Sequence, residues 1–321
     1  MKDIYELNAL KYKDNFMWGK NMGLSYAYIE VTEKCNSKCI YCQIDKPRTI
    51  NMDRCIYNLL IDQLNELKVF EIRLGGGEPL LCDDIVSMVN YASSKNIAVW
   101  ICTNGSLLNK KMANDLKNAG LIGVKVSLDS CIPNKHNFLR GGNGSWEAAV
   151  SGIRNAKSVG LETMINYTIG VQNIDEYDRM MDFGELLGCN VATHFIMPSG
   201  RGVEYHKKYD MKKSFAEAQG RILNGLSGDL YCTAGSDMVA VSVTGGVRAC
   251  LFANEVASVT SQSLKEILES NKIQKYLTKV PDSKVCKNCE FDKIIKSKSI
   301  CPIISVCRGG CWYFYEKNYS N

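Results

Sequence analysis

Short apolar runs alternate with longer amphipathic stretches over residues 24–198. The runs have the length and β-branched content of buried strands, and they cover residues 25–31, 70–74, 98–102, 123–128, 163–169 and 191–197. The stretches between them repeat apolar positions with a helical period, over residues 53–68, 83–95, 110–119, 145–159 and 175–187. Gly120, Gly160 and Gly188 follow three of these stretches, where a helix end favours a left-handed residue. Five crossover helices between six strands predict a parallel sheet with right-handed connections.

The pattern changes after Gly200. Residues 212–226 and 263–279 each predict a helix, and residues 238–250 predict a β-hairpin around Thr244-Gly245-Gly246. From residue 281 onward there is little regular pattern and there are five cysteines. These shifts predict an N-terminal extension over residues 1–23, an α/β domain over residues 24–210 and a smaller cysteine-rich domain over residues 211–321.

Composition and charge narrow the class of protein. Hydrophobic residues make up 45% and charged residues 23%, which is typical of a globular chain and excludes disorder as the main state. The longest apolar runs are too short to span a membrane, and the first twenty residues lack an apolar signal core, so we expect a cytoplasmic protein with no membrane partner. The formal charge is +5, but the basic residues are scattered, which argues against a nucleic-acid partner.

Cysteine is the unusual component, with 15 residues against only 3 histidines. An odd number cannot pair completely, and a cytosolic chain keeps its thiols reduced. Clustered cysteines in such a chain are typical of metal ligands. The cysteine pattern therefore predicts metal centres instead of a disulfide framework.

Three cysteines follow the first predicted strand in the spacing Cys35-x3-Cys39-x2-Cys42. Three thiolates close in sequence can hold three irons of a [4Fe–4S] cluster and leave the fourth iron open to a ligand. A zinc site and a set of buried thiols are the alternatives. Structural zinc takes four nitrogen or sulfur ligands, and no fourth cysteine or histidine lies nearby in sequence.

A glycine-rich turn, Gly75-Gly76-Gly77-Glu78-Pro79, follows the second predicted strand. Glycines allow a ligand to approach the backbone closely, and Glu78 offers a carboxylate to an ammonium group. Taken alone, the motif is equally consistent with a plain tight turn. Its place one β/α unit after the three cysteines puts a cation-binding group beside the predicted open iron.

These motifs together resemble the radical S-adenosylmethionine (SAM) family. The resemblance covers the cysteine loop, the Gly-Gly-Glu-Pro turn and four further segments: Thr103-Asn104-Gly105, Ser127-Leu128-Asp129, Arg140-Gly141 and residues 198–202. It implies a partial (β/α)6 TIM-like barrel with SAM across the ends of its strands. By the same resemblance, Cys35, Cys39 and Cys42 hold the cluster. The cofactor-binding residues it implies are Tyr41 near the adenine, Glu78 at the ammonium with Gly76 and Gly77 in the same turn, Ser127 and Asp129 near the ribose or carboxylate, and Arg140 at the carboxylate.

Seven cysteines of the C-terminal third resemble the SPASM domain, which carries auxiliary [4Fe–4S] clusters: Cys232, Cys250, Cys286, Cys289, Cys301, Cys307 and Cys311. The preferred partition gives Cys232, Cys250 and Cys311 to one cluster and the other four to a second. The spacing departs from the usual run, because 17 residues separate Cys289 from Cys307. Cys301 can instead fill the second position of that run with Lys298 at the first, which leaves one auxiliary cluster. A zinc ribbon is the alternative to both.

The remaining candidates stand outside these motifs. Cys102 near the end of the third strand is a candidate catalytic hydrogen-atom donor, although packing is the favoured explanation of a thiol there. His194 in the sixth strand is a candidate substrate contact, with a core histidine as the alternative. Cys55, Cys82 and Cys189 are expected to be ordinary buried or surface thiols.

The chemistry implied by the resemblance is reductive cleavage of SAM to a 5′-deoxyadenosyl radical, which removes a hydrogen atom from a substrate. The leading hypothesis is a maturase that crosslinks or epimerises a ribosomally made peptide under anaerobic conditions. Its expected partners are the peptide and a flavodoxin- or ferredoxin-type electron donor. Recognition of the peptide is left to the barrel rim, to residues 1–23 or to a separate leader-binding partner. Alternatives are a sulfatase-maturase-like enzyme, disfavoured because Leu251 replaces the acid expected after Cys250, and a small-molecule or haem-precursor enzyme. A non-catalytic zinc or iron–sulfur interaction protein is the alternative from another class.

Overall fold

The structure is a computed structural model that describes residues 24–209 and 238–274. Six parallel strands occur in the predicted order: β1 (Tyr26–Thr32), β2 (Glu71–Gly76), β3 (Ala98–Thr103), β4 (Gly123–Ser127), β5 (Glu162–Ile169) and β6 (Asn190–Phe195). Each strand pairs with the next one in sequence, from β1 at one side to β6 at the other. The predicted α/β architecture with a parallel sheet is therefore confirmed.

The helices between Arg54 and Lys208 are α1 (Arg54–Glu66), α2 (Ile85–Ser94), α3 (Lys110–Asn118), α4 (Pro133–Arg140), α5 (Ser145–Ser158), α6 (Tyr177–Leu186) and α7 (Gly202–Lys208). Five of them confirm the periodicity, and Gly120, Gly160 and Gly188 have the expected positive φ of 96°, 76° and 62°. The sequence did not predict α4 and α7. Both are short, and α4 buries only His136 and Leu139, so neither has a sustained apolar stripe.

Side chains alternate between the two faces of the sheet. One face packs against the helices, and its fully buried residues include Ile29, Ile72, Ile101, Val124 and Ile165. The opposite face, called here the inner face, carries partly or fully exposed residues that include Tyr28, Arg73, Cys102, Lys125, Asn166 and His194. It is polar where the helix-facing side is apolar.

The inner face brings together ionisable groups from several strands. Desolvation by the surrounding protein, together with the positive charges of Lys125 and Arg73, lowers the pKa of His194 on β6 to about 4.

Three further strands extend the sheet beyond β1: β7 (Met238–Val241), β8 (Gly246–Arg248) and β9 (Ala257–Ser258). The pairing of β7 with β8 is antiparallel and confirms the predicted hairpin, with Gly245 at φ 85° in its turn. The parallel pairing of β7 with β1 was not predicted, because strands so far apart in sequence leave no local signal of their contact.

The second predicted helix of this region is divided into α8 (Leu264–Glu269) and α9 (Asn271–Gln274), so a single helix over residues 263–279 was wrong. Ser263 and Glu266 form a reciprocal cap at the start of α8, and the backbone is extended at Ser270. The predicted helix over residues 212–226, the extension over residues 1–23 and the apolar segment 312–315 lie outside the described residues. Within the described ranges, no helix is long and apolar enough to cross a membrane.

Candidate functional site

The three cysteines of the predicted cluster lie in the loop that follows β1. Cys39 is buried, whereas Cys35 and Cys42 are partly exposed, and burial raises the pKa of the Cys35 and Cys42 thiols. Each of the three sulfurs accepts one N–H group. The donors, in the order of the cysteines, are Ser37 N at 3.4 Å, Arg140 Nη1 at 3.7 Å and Ile44 N at 3.4 Å.

Other cysteines in the described part of the chain behave differently. Cys131 Sγ donates to the Glu176 carboxylate at 3.3 Å, and Cys189 Sγ donates to the carbonyl oxygen of Leu187 at 3.6 Å. The sulfurs of Cys35, Cys39 and Cys42 instead accept N–H groups. Hydrogen bonds of this kind to the sulfur ligands tune the potential of an iron–sulfur cluster, so the three cysteines fit a [4Fe–4S] cluster.

The arrangement does not resemble a mononuclear zinc site. Among the described residues, no three His, Cys, Asp or Glu side chains are close enough to share a single metal ion. A cubane cluster has no such requirement, since each cysteine binds a different iron. All nine described cysteines are free of disulfide bonds.

The last turn of α4 fixes one side of the cysteine loop. The N–H of Lys38 donates to the carbonyl oxygen of Arg140 at 3.2 Å, and that of Ile40 donates to Leu139 at 3.0 Å. Gly141 has φ 68°, and a Cβ atom there would lie 2.3 Å from the carbonyl oxygen of Lys38. Glycine is therefore required at this position by both backbone conformation and close packing.

The segment after β6 fixes the other side. Arg201 donates its backbone N–H to the carbonyl oxygen of Cys42 and its Nε to that of Cys39, both at 2.8 Å. Gly200 has φ 53°, and a Cβ atom there would lie 2.2 Å from the carbonyl oxygen of Gln43. The sequence pattern identified both glycine motifs but not their contacts with the cysteine loop.

The glycine-rich turn packs against the start of the same loop. A Cβ atom on Gly76 would lie 2.3 Å from the carbonyl oxygen of Thr32, and one on Gly77 would lie 2.1 Å from that of Lys34. The N–H groups of Gly77 and Glu78 donate to the same two oxygens, at 2.7 and 2.8 Å. Contacts within the chain thus account for both glycines, and their binding of a cofactor stays a prediction.

Glu78 is 1% exposed at the centre of this region. Its Oε1 accepts from Leu80 N at 3.1 Å and from Thr103 Oγ1 at 2.7 Å, and its Oε2 accepts from Asn104 N at 2.7 Å. A carboxylate has about four acceptor positions, so about one remains. Burial raises the pKa of Glu78, and no basic side chain of the described ranges forms an ion pair with it. The site therefore fits a ligand that brings an ammonium group.

A second carboxylate, Asp129, joins the cysteine loop to the ends of β4 and β5. It accepts from Arg140 Nε at 2.6 Å and Nη2 at 3.1 Å, from the N–H of Thr168 at 3.0 Å and from the Tyr41 hydroxyl. The contacts with Asp129 and Cys39 use three of the five N–H donors of Arg140, which leaves two for a carboxylate ligand. The predicted contacts of Tyr41, Asp129 and Arg140 with SAM stay predictions.

His136, which the sequence did not single out, supports Asp129 from behind. Its Nδ1 accepts the backbone N–H of Asp129 at 3.0 Å. Burial lowers the pKa of His136 to about 4, so the ring is neutral at neutral pH and can accept. Asn173 donates to the carbonyl oxygen of Asp129 at 2.6 Å. No sequence pattern marks either residue, because both act through tertiary contacts.

The other candidates are placed as follows. Ser127 ends β4 and is partly exposed, and Cys102 and His194 lie on the inner face. The side chain of His194 is accessible on that face, and its contact with the substrate stays a prediction. Cys82 and Cys189 are buried and Cys55 is exposed on α1, as expected. Of the auxiliary cysteines only Cys250, just after β8, is described. Cys232, Cys286, Cys289, Cys301, Cys307 and Cys311 lie outside the described residues.

Comparison with known proteins agrees with the sequence motifs. Residues 29–184 match the model of the radical SAM superfamily, and residues 232–290 match that of SPASM, an iron–sulfur cluster-binding domain. The chain is 25% identical over 315 residues to the mycofactocin maturase MftC of Mycolicibacterium smegmatis, which covers 88% of this chain and 76% of that protein. It is 25% identical over 308 residues to the AdoMet-dependent heme synthase of Methanosarcina barkeri, which covers 83% and 88%.

A solved structure shares the fold. SuiB of Streptococcus suis, crystallised with the precursor peptide SuiA, superposes with a TM-score of 0.69. The superposition covers 99% of this chain and 85% of SuiB, at 15% sequence identity. At that level of identity the likeness concerns the fold alone.

Proposed function

Because the chain belongs to the radical SAM superfamily and carries a SPASM domain, we propose that it is a peptide maturase that crosslinks or epimerises a residue of a ribosomally made peptide. The radical SAM and SPASM domains imply [4Fe–4S] clusters. The similarity to a mycofactocin maturase over most of both chains supports a peptide as the substrate.

One observation carries the enzymatic part of the proposal. Three cysteine sulfurs that accept N–H groups lie in one loop, and the first residues of that loop pack against the glycine turn. Glu78, which ends the turn, is buried and has no ion-pair partner among the described residues. A structural metal site has no need of such a carboxylate, whereas a site for SAM needs an acceptor for its amino group. We assign the cluster to Cys35, Cys39 and Cys42, and the amino and carboxylate groups of SAM to Glu78 and Arg140.

When bound, the cluster and SAM supply the radical chemistry, in which one electron cleaves SAM and the 5′-deoxyadenosyl radical takes a hydrogen atom from the substrate. The residues of this chain hold the reactants. Arg140 donates to the sulfur of Cys39 and to Asp129, so one guanidinium fixes both the cluster loop and the end of β4. Arg201 and the turn at Gly141 keep that loop in place.

Anaerobic reconstitution with iron and sulfide tests the enzymatic part. We expect about twelve irons per chain with two auxiliary clusters and about eight with one. We also expect 5′-deoxyadenosine to form from SAM and a reductant in the wild-type protein, and not in Cys35→Ala. Cys55→Ala is the matched control, because Cys55 is an exposed cysteine on α1 and its loss should change neither iron content nor turnover. Equal turnover by the two variants would contradict the assignment.

We propose Cys102 as a hydrogen-atom donor if the reaction is an epimerisation. Its thiol is on the inner face, partly exposed, and burial raises its pKa, which keeps the S–H bond intact at neutral pH. In an epimerisation, the thiol returns one hydrogen atom to the substrate radical and becomes a thiyl radical. In a crosslinking reaction, the substrate radical is used in the new bond and one electron is released, so no hydrogen atom is returned. Cys102→Ala should therefore abolish an epimerised product and leave a crosslinked one, as judged by mass and by chiral analysis of the peptide.

The auxiliary cysteines, domain limits and partners complete the proposal. We assign Cys232, Cys250 and Cys311 to one auxiliary cluster and Cys286, Cys289, Cys301 and Cys307 to the second, within a C-terminal domain that begins near residue 210. We propose a flavodoxin- or ferredoxin-type donor, a separate leader-binding partner and a cytoplasmic location, where thiolate ligands stay reduced. The similarity to a heme synthase makes an iron tetrapyrrole the second candidate substrate. A change in tetrapyrrole absorbance during turnover, without modification of any peptide, would favour it.

A further inference from the structure

The inner face carries three lysine or arginine side chains among the described residues, and two of them have an acidic partner. Arg73 Nε lies 2.5 Å from Glu71 Oε1, and Arg248 Nη2 lies 2.7 Å from Glu30 Oε2. The third is Lys125 on β4. No carboxylate in the described part of the chain lies within ion-pair distance of its ammonium group.

The charge of Lys125 is only partly compensated within the described ranges. Its Nζ makes a cation–π contact 5.6 Å from the centre of the Trp100 ring, and the side chain is largely surrounded by protein. Burial lowers the pKa of Lys125 and the positive charge of Arg73 adds to that effect, whereas the charge of Glu71, which forms no ion pair with Lys125, opposes it. An anion in direct contact with the ammonium would stabilise it, because opposite charges attract strongly where water is scarce.

Trp100 provides a second and independent sign of a missing acceptor. The residue is 7% exposed, and among the described residues its Nε1–H has no hydrogen-bond partner. An indole nitrogen can only donate, and a buried donor without an acceptor is rare in folded proteins. Lys125 and Trp100 thus present two donor groups, one charged and one neutral, on the same face of the sheet.

The position of Lys125 relates these donors to the reaction site. Lys125 precedes Ser127 by two residues on β4, which is about 7 Å along the strand. Ser127 ends the strand beside Asp129, where the proposed SAM site begins. Neighbouring residues of a peptide have Cα atoms about 3.8 Å apart. A group held at Lys125 therefore belongs to a substrate residue within about two positions of the reacting residue.

We propose that Lys125, assisted by the indole N–H of Trp100, binds a carboxylate of the peptide substrate on the inner face of the sheet. The carboxylate is either the side chain of an aspartate or glutamate or the free C-terminus, and it lies within about two residues of the modified position. Arg73, already paired with Glu71, adds positive potential without serving as the main partner. This inference rests on the proposed function, since it names the class of peptide that the enzyme accepts.

Retention of hexapeptide libraries by the reconstituted full-length protein with SAM, under anaerobic conditions, tests the proposal. Three libraries share four randomised neutral positions and differ in one feature: a C-terminal amide, a free C-terminal carboxylate, or a C-terminal amide with one central glutamate. We expect one of the two acidic libraries to be retained at least about tenfold more strongly than the neutral one, the gain of one charged hydrogen bond. Which of the two is retained identifies the source of the carboxylate.

Substitutions then assign the effect to Lys125. Lys125→Met keeps the length of the side chain and removes its charge, and we expect the preference for acidic peptides to disappear. Lys125→Gln, which is polar and neutral, gives the same readout if the methionine variant fails to fold by circular dichroism. Trp100→Phe should reduce the preference about threefold. Lys111→Met, at an exposed position on α3, is the control that should retain the full preference.

The outcomes separate this inference from the proposed function. Equal retention of neutral and acidic libraries, or an unchanged preference in a folded neutral variant of Lys125, overturns the inference and leaves the peptide function standing. Retention of no library by wild-type protein that still forms 5′-deoxyadenosine overturns both. If the wild-type protein forms no 5′-deoxyadenosine, the enzymatic proposal is contradicted independently of any peptide.

Discussion

Replacing Glu78 with glutamine tests the centre of the site, because the substitution keeps the shape of the side chain and changes its hydrogen bonding. The carboxylate accepts from Leu80 N, Thr103 Oγ1 and Asn104 N. A glutamine can keep an oxygen toward Leu80 and Thr103, but its amide nitrogen then faces the N–H of Asn104, which lies 2.7 Å from the present Oε2. One buried donor loses its acceptor, so we expect the free energy of unfolding to fall by about 1–3 kcal/mol.

The same substitution should weaken SAM binding. The remaining acceptor position on Glu78 is assigned to the ammonium group, and a charge-assisted hydrogen bond contributes about 1.5–3 kcal/mol. Its loss corresponds to an increase in Kd of about tenfold to more than a hundredfold. Urea denaturation measures the first effect, and calorimetric titration of the anaerobic protein with SAM measures the second.

The pH dependence gives a further check on the wild-type protein. Burial raises the pKa of Glu78, and a bound ammonium group favours the ionised carboxylate. SAM affinity should therefore decrease as the pH falls, beginning at a higher pH than for an ordinary glutamate, and Glu78→Gln should lack this dependence. Glu66→Gln, an exposed glutamate at the end of α1, is the matched control for both measurements. Wild-type SAM affinity in a folded Glu78→Gln protein would refute the ammonium assignment, and unchanged stability would refute the hydrogen-bond reasoning.

Three further substitutions test the supporting contacts. Arg140→Lys keeps the charge but loses the two-pronged contact, so urea denaturation should show a loss of about 1–3 kcal/mol, whereas the exposed Arg154→Lys should show none. Gly141→Ala should lower thermal stability and iron content, because of its φ of 68° and the nearby carbonyl oxygen, and Gly142→Ala, with no atom within 4 Å, should lower neither. The pKa of His136 falls from 6.5 to about 4 on folding, so proton binding by the unfolded chain destabilises the wild-type protein below pH 6.5. The His136→Gln variant lacks this group, so between pH 7 and pH 5 its free energy of unfolding should fall by about 2 kcal/mol less than that of the wild type. Equal losses in the two proteins would contradict the buried neutral ring.

Much of the fold was predictable because local periodicity survives in the sequence. The six parallel strands and five of the helices follow directly from alternating and helical patterns. The proximity of the cysteine loop, the glycine turn and the Asp129 segment was also predictable. Parallel strands place their C-terminal ends at one edge of a sheet, so motifs that follow successive strands must converge there.

The contacts that hold this edge together were not predictable. Arg140 was identified from the motif that it shares with Gly141, but α4, which carries it, has too few buried residues to show a period. The approach of Gly141 to Lys38 and of Gly200 to Gln43 joins segments that are far apart in the chain. A glycine is required either by a tight turn or by the close approach of another backbone, and the sequence shows the same residue in both cases. The second reason becomes visible only when both backbones are in position.

The sequence by itself determined the alternation of strands and helices, the cysteines predicted to bind iron and the edge of the sheet where the motifs meet. These properties depend on the order of residue types along short segments, and short segments have periods and spacings that can be read locally. Only the tertiary structure decided that Asp129 joins Tyr41 to Arg140, that β7 pairs with β1 and that Lys125 lacks an acidic partner among the described residues. Each of these depends on which distant side chains the sheet brings together, and no local pattern encodes that proximity.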